Sequence, residues 1–268
     1  MRPEVLVAAL EKDPRALAEK MNIRTDCLIV NQCDKDGMEE FTHNGHTVRV
    51  LSMTKRGVGI SRNAAIDNSI GDILLFSDQD IVYYDGYEDI IEKEFELNPE
   101  ADMLTFNINI GENRKTYENT DRGRVRLHNS GRYGAVSFAI KKDALIKSGV
   151  KFSLLFGGGA KYSAGEDSLF MCDLLKSGVK VFKSPGLLGY EDSSESTWFK
   201  GYNDKYFFDR GVLYHFLYGN LAKPLSLRFL YAHRGTLLDK MTLKEAYKLM
   251  KAGIKQGKIE EKNKEGKA

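Results

Sequence analysis

The chain has 268 residues, enough for one large α/β domain or two small ones. Its formal net charge of +2 makes no case for bulk nucleic-acid binding. No apolar run approaches bilayer-spanning length, and the early run at residues 5–10 is too short for a signal peptide.

The expectation is a cytoplasmic protein, or one held peripherally on the inner face of the cytoplasmic membrane. Cys27, Cys33 and Cys172 form no CxxC pair and lie near no His at metal spacing, which suits a reducing compartment.

In chain order, residues 5–10 read as a strand and 14–21 as a short helix with Pro near its start. A second strand at 27–30 runs into Asn31 and Gln32, with a turn at Asp36-Gly37 and a polar turn holding His43 and His46. Residues 46–53 alternate as a third strand, 60–69 are helical, and 72–76 form a short apolar strand. A helix at 87–97 and a strand at 101–110 follow. This alternation predicts a mostly parallel sheet covered by helices.

From Gly111 to Gly134 the chain is polar and basic, and it reads as a long functional loop. Residues 135–140 look like a strand, 142–148 and 168–176 like helices, and 179–182 like a further strand. The last third is aromatic and helical, and Thr242 to Glu245 forms a capping box before a final helix that is expected to fray past Lys258. In that helix Ala246, Met250 and Ile254 share one face and lysines crowd the rest, a pattern that suits packing on protein or contact with an anionic membrane.

Three stretches could carry chemistry. Asp78 and Asp80 follow the apolar strand. If they extend it they share one face, about 6.5 to 7 Å apart, where a hard cation would relieve their repulsion. A polar turn explains the same triplet. Residues 55–63 hold Lys55, Arg56 and Arg62 around two glycines at a helix start, which suits an anion or base edge, or a turn capped by Ser61. Glu166 and Asp167 open a helix after a glycine-rich loop, where a carboxylate could be a general base or stabilise the helix dipole. Trp198 could form a sugar platform or pack in a core. No HExxH or GxSxG is present, so a zinc or serine hydrolase has no support.

The order of these elements is more specific than any one of them. Gly59 to Asn63, then Gly71 to Asp80, then Gly165 to Asp167 form a series that resembles the family 2 glycosyltransferases of GT-A fold, over residues 4–200. Among these the chain looks most like bacterial enzymes of capsular and other surface polysaccharide synthesis.

The resemblance implies a metal-dependent, inverting, single-transfer enzyme that moves a sugar, as a hexosyltransferase does, from a nucleoside-diphosphate donor such as a UDP-sugar. The acceptor would be a glycan or lipid-linked glycan, and the cofactor Mn2+ or Mg2+. It assigns Asp78 and Asp80 to donor ribose and metal, Arg62 to the donor nucleotide and Asp167 to the general base, with Glu166 beside it. Asn31 and Gln32 stand where relatives carry an acidic pair near the base. Gly158, Gly159 and Trp198 would face the acceptor. No His occupies residues 189–192, where relatives often supply a further metal ligand.

The implied division is a donor half at 1–110, an acceptor half at 111–200 and a helical extension at 201–268. A homo-oligomer and peripheral membrane contact through the last helix are compatible with it. A metal-dependent nucleotidyltransferase would use the same paired Asp residues, and a degenerate transferase could serve as an assembly partner.

Overall fold

A computed structural model describes residues 1–110, 117–192, 201–237 and 241–265, with the side chains of 264 and 265 left aside. The chain runs β1 (Pro3–Ala9), α1 (Ala16–Lys20), β2 (Asp26–Gln32), β3 (Gly37–His43), β4 (His46–Met53), α2 (Val58–Asn68), β5 (Ile73–Asp78) and β6 (Ile81–Tyr83). It continues with α3 (Tyr87–Leu97), β7 (Met103–Asn109), β8 (Gly123–Arg124), β9 (Phe138–Lys141), α4 (Lys142–Ser148), α5 (Glu166–Lys176) and β10 (Val181–Glu191). Four helices close it: α6 (Asp204–Tyr218), α7 (Ala222–Ala232), α8 (Arg234–Leu237) and α9 (Leu243–Glu265).

One sheet orders its strands β3-β4-β2-β1-β5-β9-β7-β10-β6, with β8 paired to β10. Parallel pairing is confined to the run β4-β2-β1-β5 and to β7-β10; the antiparallel β3, β9, β6 and β8 make the sheet mixed. Successive residues of β1 serve opposite faces. Val5 and Val7 pack with Leu17, Met21, Tyr87 and Phe95 under α1 and α3. Leu6 packs with Ala65, Phe76 and Phe170 under α2 and α5. Strands buried on both faces read as continuous apolar runs, which is why β1, β2 and β5 are legible from sequence.

Two strands escape that reading. β3 is mostly exposed and polar, and it pairs antiparallel with β4 across Asn44-Gly45, both at positive φ. This is the two-residue hairpin that an Asn-Gly pair favours, and it puts His43 opposite His46 as strand-end partners. β6 follows β5 after only two residues, and β10 extends well past the expected 182, to Glu191, because its far half pairs with β6. Residues 135–137 form a 3-10 turn, and β9 occupies only 138–141.

The segment 117–134 is anchored. Asn119 exchanges hydrogen bonds with Asn107 and donates to Thr105, and Arg122 makes a bidentate pair with Glu94. Cys27 and Cys172 are buried free thiols, as expected.

The C-terminal helices form a further apolar layer in which Phe207, Ala222, Leu230, Ala246, Met250 and Ile254 are buried. The apolar stripe of α9 at Ala246, Met250 and Ile254 is therefore covered by protein, and Lys244, Lys248, Lys251, Lys255 and Lys258 face outward. The capping box holds, with Thr242 and Glu245 bonded reciprocally. The helix does not fray at Lys258 but runs to Glu265, with Glu260 buried. Among the described residues no helix is long and apolar enough to cross a membrane.

Candidate active site

Asp78 ends β5 at the carboxyl end of the parallel strands, where open α/β sheets bind ligands. The strand stops there, and Gln79 and Asp80 form the turn into β6, so the expected alternation of two carboxylates on one strand face does not apply. Asp78 is answered by an arginine. Arg62 comes from α2, whose first turn lies so close to residue 153 that a Cβ on Gly59 would meet the Ser153 carbonyl at 2.5 Å. Asn63 exchanges two hydrogen bonds with the Phe152 backbone, and the Arg62 guanidinium lies 5.3 Å from the Phe152 ring centroid.

That guanidinium is the hub of the site. Nη2 donates to Asp78 Oδ1 at 3.0 Å, and Nη1 donates to Asp167 Oδ1 at 2.7 Å and to Glu166 Oε1 at 3.4 Å. Arg62 is 4 % exposed. Burial alone would lower its proton affinity, but Asp167, Asp78 and Glu166 overcome this and raise it. The Arg62 fork is enclosed by three carboxylates that it holds together.

The two carboxylates of α5 differ. Glu166 turns inward, its Oε2 accepting from the Gly165 N–H at 3.1 Å. Burial first, and then the charge of Asp167, push its carboxyl up to about 7 against the opposing pull of Arg62. Asp167 is the more exposed of the pair, at 26 % against 14 % for the side chains, and its Oδ2 accepts from the Ala135 N–H at 3.0 Å. Asp167 is thus oriented from two sides and still open to a ligand.

Asn31 and Gln32 are placed differently from the expectation of direct base contact. Asn31 bonds the backbone of Glu11 with both ends of its amide, and Gln32 Oε1 accepts from the Gly57 N–H at 2.6 Å. Both hold loops in place. Sequence reasoning missed Gln79, which accepts from the Leu10 N–H and donates to Glu11. Nothing in its local pattern signals this, because the partners come from the end of β1.

The start of α2 is also less open than expected. Gly57 is the N-cap and Ser61 lies inside the helix with its hydroxyl toward the Val30 carbonyl; the Val58 N–H is taken by the Gly158 carbonyl. Gly158 and Gly159, expected at the acceptor, seat instead on this loop: a Cβ on Gly159 would lie 3.1 Å from Gly57 Cα. Trp198 lies outside the described residues. Lys55 and Arg56 remain exposed at the loop, with Arg56 paired to Asp34.

A cavity of about 350 Å³ adjoins Asp167, lined by Phe106, Asn107, Tyr117, Arg132, Tyr133 and Gly134. Arg132 lies 4.2 Å over the Tyr117 ring, and a Cβ on Gly134 would sit 3.6 Å from Asp167 Oδ2. The larger cleft, of about 840 Å³, lies at the opposite ends of the strands beside Met1, Asp72 and Lys142, away from the carboxylates.

The donor set for a cation is oxygen only. The Asp80 carbonyl accepts from the Asp192 N–H at 2.7 Å, which brings the end of β10 against the acidic turn. Among the described residues no group of three or more His, Cys, Asp or Glu could hold a metal alone. Mg2+ and similar hard cations need only one or two carboxylates when phosphates and water complete the shell, so Asp78 and Asp80 fit that use.

A mixed central sheet flanked by helices, with a helical C-terminal region, is the architecture of GT-A glycosyltransferases. The model of glycosyl transferase family 2 matches residues 8–151, more than half of the chain, and the chain belongs to that family. No curated protein matches it. Among solved structures, S. aureus TarS 1-349 in complex with UDP-GlcNAc is similar, with TM-score 0.61 and 14% identity over 88% of this chain and 73% of that one. The mannosyltransferase PcManGT from Pyrobaculum calidifontis, in complex with GDP-Man and Mn2+, is similar with TM-score 0.52 and 12% identity over 96% and 75%. At these identities the likeness is one of fold.

Proposed function

We propose that this glycosyltransferase moves a hexose from a UDP-sugar to a glycan or lipid-linked glycan, with inversion, in bacterial surface or capsular polysaccharide synthesis. The observation that carries the reading is the Arg62 fork, which ties the donor-side carboxylate Asp78 to the candidate base Asp167 through one guanidinium. A nucleotide-sugar donor is supported by family membership and by the UDP-GlcNAc held in TarS.

In this reading residues 1–110 bind the donor, 111–200 complete the acceptor side and 201–268 form a helical extension. The 350 Å³ cavity beside Asp167 takes the acceptor, with Tyr117 and Tyr133 offering ring faces and Asn107 and Arg132 polar groups. Asp167 accepts the proton of the acceptor hydroxyl as that oxygen attacks the anomeric carbon opposite the diphosphate. Asp78 and Asp80 would hold Mn2+ or Mg2+, which supplies charge stabilisation for the leaving diphosphate. Lys55 and Arg56 are exposed cations of the loop before α2, where an anionic donor would approach. Arg62, already balanced by carboxylates, orients Asp167 and Asp78.

The test is a donor panel. UDP-sugars should release UDP in the presence of Mn2+ and an acceptor glycan, and GDP-sugars should not. Turnover of GDP-sugars alone would overturn the UDP assignment.

A further inference from the structure

Helix α5 delivers Glu166 and Asp167, and the ties of its start to the sheet run through Arg62 to Asp78 and through the Ala135 N–H. The chain reaches it through residues 152–165, a segment whose only strand-like contact is an isolated bridge between Phe156 and Tyr162. On one side this segment is tied to α2 through Asn63 and Val58. On its other side stand two carboxylates from the C-terminal helices.

Asp209 of α6 is 4 % exposed, and its Oδ2 accepts from the Ser163 N–H at 2.9 Å, the Ser163 hydroxyl at 2.8 Å and Lys205 Nζ at 2.5 Å. Glu260 of α9 is 9 % exposed, and its Oε1 accepts from the Tyr162 hydroxyl at 2.8 Å, Lys161 Nζ at 2.5 Å and Gln256 Nε2 at 2.8 Å. A buried carboxylate is costly unless it is paired and hydrogen-bonded, and each of these is satisfied by three donors. The bonds converge on three consecutive residues, 161 to 163, just ahead of Glu166.

The helices behind these carboxylates are locked to one another and to the segment. A Cβ on Gly165 would meet Leu213 of α6 at 2.6 Å, so the residue that caps α5 rests directly on α6. Gly211 of α6 lies against the Met250 backbone, and Gly253 of α9 lies against the Phe208 carbonyl, so the two helix backbones touch. Phe156, Tyr162, Leu169, Val212 and Leu213 form a buried apolar cluster between the segment, α5 and α6. Packed interiors transmit displacement, so a shift of α6 or α9 moves the start of α5.

We propose that Asp209 and Glu260 are positioning residues for Glu166 and Asp167, acting through residues 161–165. The C-terminal helices then serve the active site by holding the frame of the carboxylate pair. The proposal rests on the reading of that pair as catalytic.

Asp209→Asn and Glu260→Gln keep shape and remove charge. Amide hydrogen exchange across the full chain should show residues 163–167 exchanging at least ~10-fold faster in each variant, with β1 and β2 unchanged. The carboxyl carbon resonance of Glu166 should move as its surroundings loosen. Turnover should fall by up to about 10²-fold, because small misplacements of a base are costly, with a smaller effect on donor KM because Asp209 and Glu260 bond neither Arg62 nor Asp78. If β1 and β2 also exchange faster, Tyr162→Phe and Ser163→Ala, which each remove one bond, take the place of the charge variants.

Wild-type exchange at 163–167 together with an unmoved Glu166 resonance would overturn the proposal. Normal turnover in Asp167→Asn would instead overturn the catalytic reading beneath it, and the exchange result would still stand on its own.

Discussion

Arg62 Nη1 lies 2.7 Å from Asp167 Oδ1, although 105 positions separate the two residues in sequence. The opposite edge of the same guanidinium holds Asp78, so the last residue of β5 and the first turn of α5 share one buried cation. This bridge predicts that the site behaves as one unit. Arg62→Lys keeps the charge but loses the planar fork, and one ammonium cannot reach both partners with the same geometry. Turnover should collapse while the fold survives. Arg62→Ala should destabilise the chain by about 3 to 5 kcal/mol in urea unfolding, because it strands partly buried carboxylates. Wild-type stability in Arg62→Ala would contradict the bridge.

Glu166 gives the site a pH signature. Its carboxyl is raised from 4.5 to about 7 by burial and by Asp167, so the folded chain binds a proton there that the unfolded chain has lost. Its contribution to stability is complete below about 4.5 and disappears as pH rises through about 7. Glu166→Gln removes that dependence. The stability of the variant relative to wild type should therefore increase between pH 4.5 and 7 and then level off. The full change is at most about 3.5 kcal/mol, at ~1.4 kcal/mol per unit. Urea unfolding of both proteins at pH 5 and pH 8 checks this; a difference that is constant or shrinks with pH would show that Glu166 is not held protonated.

Asp80 carries the metal prediction. Asp80→Asn should abolish Mn2+-dependent UDP binding in calorimetry and leave the melting temperature within a few degrees of wild type, since Asp80 sits in a turn rather than in the core. Equal UDP affinity with and without Mn2+ in the wild-type protein would remove the metal from the account.

Much of the scaffold was legible in the sequence for a physical reason. Strands buried on both faces show continuous apolar runs, and α3 and α4 occupy the residues that their patterns indicate. β3 was not legible because Met38, Glu39 and Glu40 are exposed, and only Asn44-Gly45 signalled the hairpin. The order of the motifs singled out Arg62, Asp78, Asp80, Glu166 and Asp167 as a set, but no local pattern shows that Arg62 bridges the carboxylates. Asn31 and Gln32 stood where the resemblance puts base contacts, and Gln79 carried no signal. Their amides instead hold the loops after β1 and before α2, because buried amides take the nearest backbone partners. Asp209 and Glu260 carry no sequence signal at all. They are ordinary charged residues on helices until the fold places Ser163 and Tyr162 against them.

The last helix offers a simpler check. Ala246, Met250 and Ile254 are covered by protein, and Lys244, Lys248 and Lys251 are exposed. Single alanine substitutions of Lys244, Lys248 and Lys251 should each leave the unfolding free energy within about 0.5 kcal/mol of wild type, as for exposed residues generally. Met250→Ala should cost about 2 to 5 kcal/mol through the cavity that it opens. A lysine variant that destabilises more than Met250→Ala would reverse the orientation of α9.

The central claim is that Asp167 takes the acceptor proton while the donor is held by other residues. Nucleoside diphosphate release by Asp167→Asn, measured at saturating donor beside calorimetric binding of UDP, tests it most directly. The account predicts intact UDP as the product of the wild-type enzyme, release slowed by about 10²- to 10⁴-fold in the variant, and unchanged UDP affinity. Near-normal release by Asp167→Asn, or phosphate or pyrophosphate as the wild-type product, would contradict it.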